Sequence, residues 1–469
     1  MTPARRDACL VALLAMLAPL AALAVFGVIQ TNDSGSYVAY AEALRAGPLP
    51  AGEALLRSGP QPVTLFRTIG FPAVLAALQS LAPQGWPGWL VALQIAAQAG
   101  IAVASHHAAR RLGFGRVAAV IAALLPAVGL TVYAQIALMT DALYATLATG
   151  AALSLLIGGL AGAGLRPVLL AGGLLGLGCL LREATPYLAL GYLPAAAIAA
   201  GQGRRLLGMA LLYGPVLLVA SGMAAAMYQR AGIATLSTSR QIVMVQAVLP
   251  LLKRGVPVYD GDDLFDTTAR ETVGRLGYQG IDPLIARLFA AGMTSPDIAA
   301  TASARYARTW RRHPIEMLRA MMVRFPAKML AVAFQPLDVA AELVRQTGTE
   351  RPDFVRLDGL WREIRDGSPG AALLLLGVVG GRIIGTVLTL VAMLAPALLQ
   401  KGDPRRAPLW GAWATCGAFL GVHLPVHLEP RYLLPIIPLV CLLGMVGLEA
   451  IGRRWARRYA APQPAGSSA

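Results

Sequence analysis

The feature that most constrains this chain is a series of long apolar runs recurring from one end to the other. A helix needs about 20 consecutive apolar residues to cross the hydrocarbon core of a bilayer. Runs of that kind occupy residues 8–29, 88–107, 117–134, 142–160, 167–181, 187–200, 206–227, 371–399, 409–426 and 433–451. Only 14% of the 469 residues are charged, against roughly 25% in soluble domains. The combination excludes a soluble globular protein, a disordered chain and a coiled coil. It predicts an all-α polytopic membrane protein with about ten transmembrane helices.

The net charge of +16 taken alone suggests a nucleic-acid surface, but its distribution argues otherwise. Basic clusters stand at Arg5 and Arg6, at Arg110, Arg111 and Arg116, at Arg166, at Arg204 and Arg205, at Lys401, Arg405 and Arg406, and at Arg453, Arg454, Arg457 and Arg458. With ten spans, every cluster falls on one side, which the positive-inside rule makes cytoplasmic. The bilayer is thus the expected partner, and nucleic acid is not. The first run is longer than a signal-peptide core and a polytopic chain follows it, so it reads as an uncleaved anchor. The run 69–81 is only about 13 residues long and precedes Pro83, Trp86, Pro87 and Trp89, which predicts an interfacial or re-entrant segment on the outer face.

The expected organisation is therefore a transmembrane module over residues 1–227 with a first outer loop at 30–87, an outer-face domain at 228–370, closing transmembrane helices at 371–459, and a disordered tail at 460–469. The outer-face domain holds 19 Lys/Arg and 15 Asp/Glu, the composition of a mainly helical, water-facing unit. Within it, residues 305–312 and 317–330 carry apolar side chains at helical spacing, and the second stretch suits a helix lying on the membrane surface. Cys9, Cys179, Cys416 and Cys441 lie in apolar runs without a CxxC spacing, so neither a disulfide framework nor a metal knuckle is expected.

Four polar constellations sit at the outer ends of the predicted spans. Asp33, followed by Ser34 and Tyr37, comes just after the first span; Asp33 suits a general base or, with Ser34, a helix N-cap. Arg67 opens Arg67-Thr68-Ile69-Gly70-Phe71-Pro72 and suits either a phosphate partner or an interfacial Arg with its head in water. Thr140 and Asp141 suit a cap for the next helix, yet a carboxylate at the bilayer edge is also a site candidate. His427, Glu429, Arg431 and Tyr432 form a dense polar group between Pro425 and Pro435, with Arg431 the best phosphate ligand. His423 and His427 have metal-pair spacing, but Pro425 and Pro430 interrupt the helix such a pair needs, so no metal is expected. Arg182 and Glu183 read as an ion pair with each other or as a further wall of the site. Nucleotide-binding and hydrolase motifs are absent from the sequence.

In series, these elements resemble the GT-C superfamily of membrane glycosyltransferases, in the branch of the protein mannosyltransferases and the aminoarabinose and related lipid-linked sugar transferases. The resemblance rests on Asp33-Ser34 with Tyr37 after the first span and on Arg67 to Pro72 in place of the family's Arg-x-Pro-Gly-Tyr-Pro. It rests also on Met139-Thr140-Asp141-Ala142-Leu143, on His427 to Pro435, and on His313-Pro314 ahead of an amphipathic helix. Thr68-Ile69 departs from that pattern, Asp141 stands where Glu is commoner, and Asn32 stands where metal-using relatives place a second carboxylate, which argues against a required divalent ion.

The resemblance implies a GT-C type fold in a bacterial inner membrane, with the active site facing the periplasm or exterior. A sugar would pass from a polyprenyl-phosphate donor to a hydroxyl on a glycolipid, polysaccharide or protein. Asp33 and Asp141 would be catalytic, Asp33 as base. Arg67, Arg431, Tyr432, His427 and Glu429 would hold the lipid phosphate, with Tyr37, Arg182 and Glu183 as walls and no cofactor beyond the lipid-linked sugar. Competing expectations are an O-antigen ligase or polymerase, a lipid or sugar transporter, which predicts paired broken helices at mid-membrane, and a non-catalytic assembly protein on the same fold.

Overall fold

The computed structural model describes residues 2–31, 33–47, 63–162, 164–324, 334, 357–367 and 369–459. Among them the ordered elements are helices, in the order α1 (Pro3–Phe26), α2 (Ser34–Ala46), α3 (Val63–Phe66), α4 (Gly70–Leu81), α5 (Trp86–Arg111), α6 (Arg116–Leu124), α7 (Leu130–Ile136), α8 (Asp141–Ala161), α9 (Leu165–Leu181), α10 (Thr185–Leu190), α11 (Leu193–Ala200) and α12 (Arg205–Ala231). The segment between the first twelve helices and the last three contributes α13 (Arg240–Leu252), α14 (Leu264–Glu271), α15 (Val273–Leu276), α16 (Ile281–Ala290), α17 (Ser295–Arg312), α18 (Pro314–Arg324) and α19 (Leu357–Arg365). The chain closes with α20 (Pro369–Leu398), α21 (Arg406–His423), a 3-10 turn (Pro430–Ile436) and α22 (Ile437–Tyr459).

Among the described residues six helices are long and apolar enough to cross a membrane, or up to seven if the bent pair α6 and α7 forms one span. Their outward faces carry Leu13 and Leu17 on α1, Leu206 and Leu218 on α12, and Leu373, Leu376 and Ile383 on α20, all exposed. Large apolar patches of this kind require a non-aqueous surrounding, so this is a membrane-embedded all-α protein. The remaining apolar runs also become helices, but shorter or broken ones. The run 117–134 bends by 57° between α6 and α7, where Pro126 and Gly129 interrupt it. The run 187–200 divides between α10 and α11. The run 69–81 forms the 12-residue α4, too short to span, as expected.

A break in a buried helix frees backbone groups that must find other partners. Gln94 on α5 meets this need at the end of α7, donating from Nε2 to the carbonyls of Gln135 and Ala137 at 2.8 and 3.1 Å. Thr149 on α8 likewise donates to the carbonyl of Pro435 at 2.8 Å. Close approach does the rest: a Cβ on Gly172 of α9 would sit 2.5 Å from the carbonyl oxygen of Leu211 on α12. Only a glycine lets those backbones meet.

The basic clusters gather at one end of the helices. Arg116 pairs with Asp7 at 2.6 Å. Arg405 reaches the carbonyl of Leu112 at 3.0 Å and Glu449 at 2.9 Å, and Glu449 also pairs with Arg453.

The segment that holds α13 to α18 has an apolar core of its own, built from residues such as Val248, Phe265, Leu284, Ile298 and Met317. On α17, Arg305, Arg308 and Arg312 close on the carboxylates of Asp260, Asp263 and Asp266. Asp266 is fully buried and accepts from Arg305 Nε at 2.6 Å, Arg308 Nη2 at 2.9 Å and the Gly261 amide at 2.9 Å. The surface helix expected over 317–330 is described only as far as Arg324, and the tail 460–469 lies outside the described residues.

A buried carboxylate shared by two arginines is the joint on which this segment closes. Asp266→Ala leaves two cations without their partner, so it should destabilise the segment by about 3–5 kcal/mol. Limited proteolysis of the whole protein in detergent checks this: cleavage within residues 240–324 should begin at a lower temperature than in wild type.

Candidate functional site

The end of the molecule opposite the basic clusters is assembled around one short bridge. After α1 the chain runs extended past Ile29, whose amide donates to the carbonyl of Ile136 at 2.9 Å and whose carbonyl accepts from the amide of Leu138 at 2.9 Å. Ser34 adds a second tie, donating from Oγ to the carbonyl of Leu138 at 2.7 Å and accepting from the amide of Thr31 at 2.7 Å. The segments before Asp33 and before Asp141 are thereby strapped together, though more than 100 residues separate them. Asp33 sits at the N-cap position of α2, but its carboxylate makes no capping hydrogen bond. Thr140 stands in the same relation to α8. In both places the side chain expected to cap does not.

Asp33 faces two arginines instead. Arg67 Nη2 donates to Oδ1 at 2.6 Å, and Arg431 Nη1 donates to Oδ2 at 2.8 Å. Each guanidinium is also held from behind. Arg67 donates from Nε to Ser36 Oγ at 2.9 Å and from Nη1 to the Tyr37 hydroxyl at 3.4 Å, and it lies over the rings of Tyr37 and Phe66. Arg431 donates from Nε to Glu429 at 2.5 Å, and the other oxygen of Glu429 bonds His427 Nε2 at 2.8 Å. Burial alone pushes the Asp33 carboxyl up, but the charges of Arg67 and Arg431 and the hydrogen bonds they donate outweigh it and hold Asp33 at about 2. Burial opposes ionisation of Glu429 in the same way, and the His427 hydrogen bond and the Arg431 charge overcome it to lower its carboxyl.

Asp141 lies beneath this group and is almost completely buried. It pairs with Arg182, while Arg431 stands 4.0 Å from its second oxygen. The Arg182 guanidinium lies 4.6 Å from the ring centre of Tyr432 and 5.2 Å from that of Tyr144. The expectation that Arg182 and Glu183 pair with each other is therefore corrected: Arg182 turns inward to Asp141, and Glu183 accepts from Ser239 at the start of the outer-face segment. Adjacent residues leaving a helix end point in different directions, and here each finds a partner on a different layer. The backbone amide of Thr238 bonds the carbonyl of Leu65 at 2.9 Å, and Tyr306 Oη bonds that of Pro425 at 3.1 Å, which docks the segment holding α13 to α18 beside the site.

Every sequence-predicted site residue except Glu183, which turns to Ser239, thus belongs to one connected group. Ser36 and Tyr144 were not foreseen. Ser36 stands three residues after Asp33, one helical turn on, a spacing that could have marked it. His423 does not meet His427; its Nδ1 bonds the carbonyl of Phe419 at 2.9 Å. Among the described residues no three His, Cys, Asp or Glu side chains group in a way that could hold a metal ion. The arrangement as it stands is a pair of convergent guanidinium donors filled by a carboxylate, a geometry suited to anions with two acceptor oxygens. The chain matches no protein-family model, no curated protein and no solved structure.

Arg67 is positioned by α4, whose first residue touches the end of α9. A Cβ on Gly70 would lie 2.6 Å from the carbonyl oxygen of Leu180, and Thr68 Oγ1 donates to the next carbonyl, that of Leu181, at 2.8 Å. Gly70→Ala should force these backbones apart at a cost of about 1–3 kcal/mol. A lower thermal midpoint in detergent is the expected result.

Asp33 carries a pH signature of known sign. Its carboxyl is lowered from 3.8 to about 2 in the folded protein, so its stabilising effect is complete above about pH 4 and is lost as pH falls through 2. The amount is about 2 kcal/mol. The stability gap between wild type and Asp33→Asn, measured by denaturation in detergent, should be constant above pH 4 and shrink below it.

Proposed function

We propose that this protein is an integral membrane glycosyltransferase of the GT-C kind, with about ten transmembrane helices. In this reading it sits in a bacterial inner membrane with its site facing the periplasm or exterior. It moves a sugar from a polyprenyl-phosphate donor to a hydroxyl of a glycolipid, polysaccharide or protein, without a further cofactor. The observation that carries the reading is the convergence of Arg67 and Arg431 on Asp33, at the helix ends away from the basic clusters. A carboxylate for proton removal and two cations for a phosphate thus stand within one hydrogen bond of each other.

The chemistry follows from that juxtaposition. The acceptor oxygen attacks the anomeric carbon as the bond from that carbon to the phosphate oxygen breaks, through an oxocarbenium-like state. The acceptor proton passes to Asp33. The electron pair of the broken bond leaves with the polyprenyl phosphate, where Arg431 and Arg67 stabilise the growing charge. Glu429 and His427 fix Arg431 from behind. Asp141, buried on Arg182, is a positioning residue for the same group.

The test compares lipid-linked sugars and envelope glycans by mass spectrometry with and without the protein, then measures transfer by the purified protein. Loss of a single sugar is expected in its absence. Asp33→Asn should lower kcat by roughly 10²–10⁴-fold, the usual range for a lost general base, and Arg431→Ala should weaken polyprenyl-phosphate binding. Normal transfer by Asp33→Asn would remove the base assignment. Accumulation of long-chain lipid-linked precursors would point to a ligase or polymerase instead.

A further inference from the structure

The site is complete before any ligand arrives, and that completeness has to be undone for a phosphate to bind. Three arginines, Arg67, Arg182 and Arg431, face three carboxylates, Asp33, Glu429 and Asp141, and each guanidinium already touches at least one of them. An incoming phosphate adds negative charge to a group already balanced and partly shielded from water, where an unpaired anion is costly.

The donors show which pairing can be exchanged. Ser36, Tyr37 and Glu429 hold the backs of Arg67 and Arg431. The two nitrogens aimed at a common point, Arg67 Nη2 and Arg431 Nη1, are spent on the two oxygens of Asp33. Among the described residues, the Asp33 carboxylate in turn has no ion-pair or hydrogen-bond partner beyond these two arginines, and it does not cap its own helix. The arginines are anchored at both faces and the carboxylate at one. Exchange therefore moves Asp33 and leaves the arginines in place.

We propose that in the free protein Asp33 occupies the subsite of the donor phosphate, and that the lipid phosphate binds by displacing it from Arg67 and Arg431. This rests on the donor reading given above and adds a coupling to it. While paired with two guanidinium groups Asp33 is a poor proton acceptor. Once displaced, it loses both cations to the phosphate and gains an anion as neighbour, and both changes make it a stronger base. The base thus becomes competent only when a donor is seated.

Binding of polyprenyl phosphate without sugar, to the whole protein in nanodiscs, tests this. Asp33→Asn removes the occupant of the subsite and should bind roughly tenfold more tightly than wild type, the scale of one charge-assisted hydrogen bond. Glu429→Gln removes an equal charge from the rear of Arg431 and should bind no better than wild type. Equal gains in both variants would mean simple charge repulsion and would overturn the proposal, as would no gain in Asp33→Asn.

A second measurement uses wild-type protein alone. Carbodiimide labelling of Asp33, followed by mass spectrometry, should increase when polyprenyl phosphate is added; an unchanged or reduced yield overturns the displacement. The two readings fail separately. Sugar transfer without the Asp33→Asn gain keeps the transferase and discards the displacement, the gain without transfer does the reverse, and no binding of the lipid phosphate to any form discards both.

Discussion

One carboxylate ties together parts of the chain that otherwise share little. Asp33 joins the first outer loop to Arg67 behind it and to Arg431, 398 residues further on. Partly buried charges need close partners, so the group is complete only once all three segments have met. Much of the surrounding architecture serves that meeting. The Ile29 bridge and Ser34 fix the turn that carries Asp33. Gly70 and Thr68 seat α4 on α9 and so place Arg67. Thr149 grips the 3-10 turn that bears Arg431 and Tyr432.

The parts legible in the sequence are those governed by local composition. Apolar runs long enough to span a bilayer become helices, and the basic residues between them collect at one end. The site motifs were legible for a related reason: polar residues are rare beside such runs, so Asp33, Arg67, Asp141, Arg182 and Arg431 stand out. Their pairing was not legible. Nothing in the neighbouring letters Arg182-Glu183 says that one turns to Asp141 and the other to Ser239. The break between α6 and α7 also escaped, although Pro126 and Gly129 lie at it, because a hydropathy count is blind to whether freed carbonyls have a donor such as Gln94 within reach.

Two kinds of arginine therefore coexist in this protein. Most of those at one end of the helices are exposed and follow the distribution expected of a membrane chain, Arg405 with its partners Asp403 and Glu449 excepted. Those on α17 and at the candidate site are held by carboxylates such as Asp266 and Asp33 and shape local structure. The difference lies in burial, since an arginine in water is screened and contributes little, whereas a buried one fixes the geometry of whatever it touches.

The order in which the chain is made gives the Arg431 contact another meaning. Ribosomes deliver residues from the N-terminus, so Asp33 and Arg67 reach the membrane long before α22 follows. During that interval Asp33 can pair with Arg67 but not with Arg431, which the 3-10 turn supplies later. A chain stopped before that turn would carry the carboxylate and one cation without the second, so the paired site belongs to the fold and not to the segment that bears Asp33.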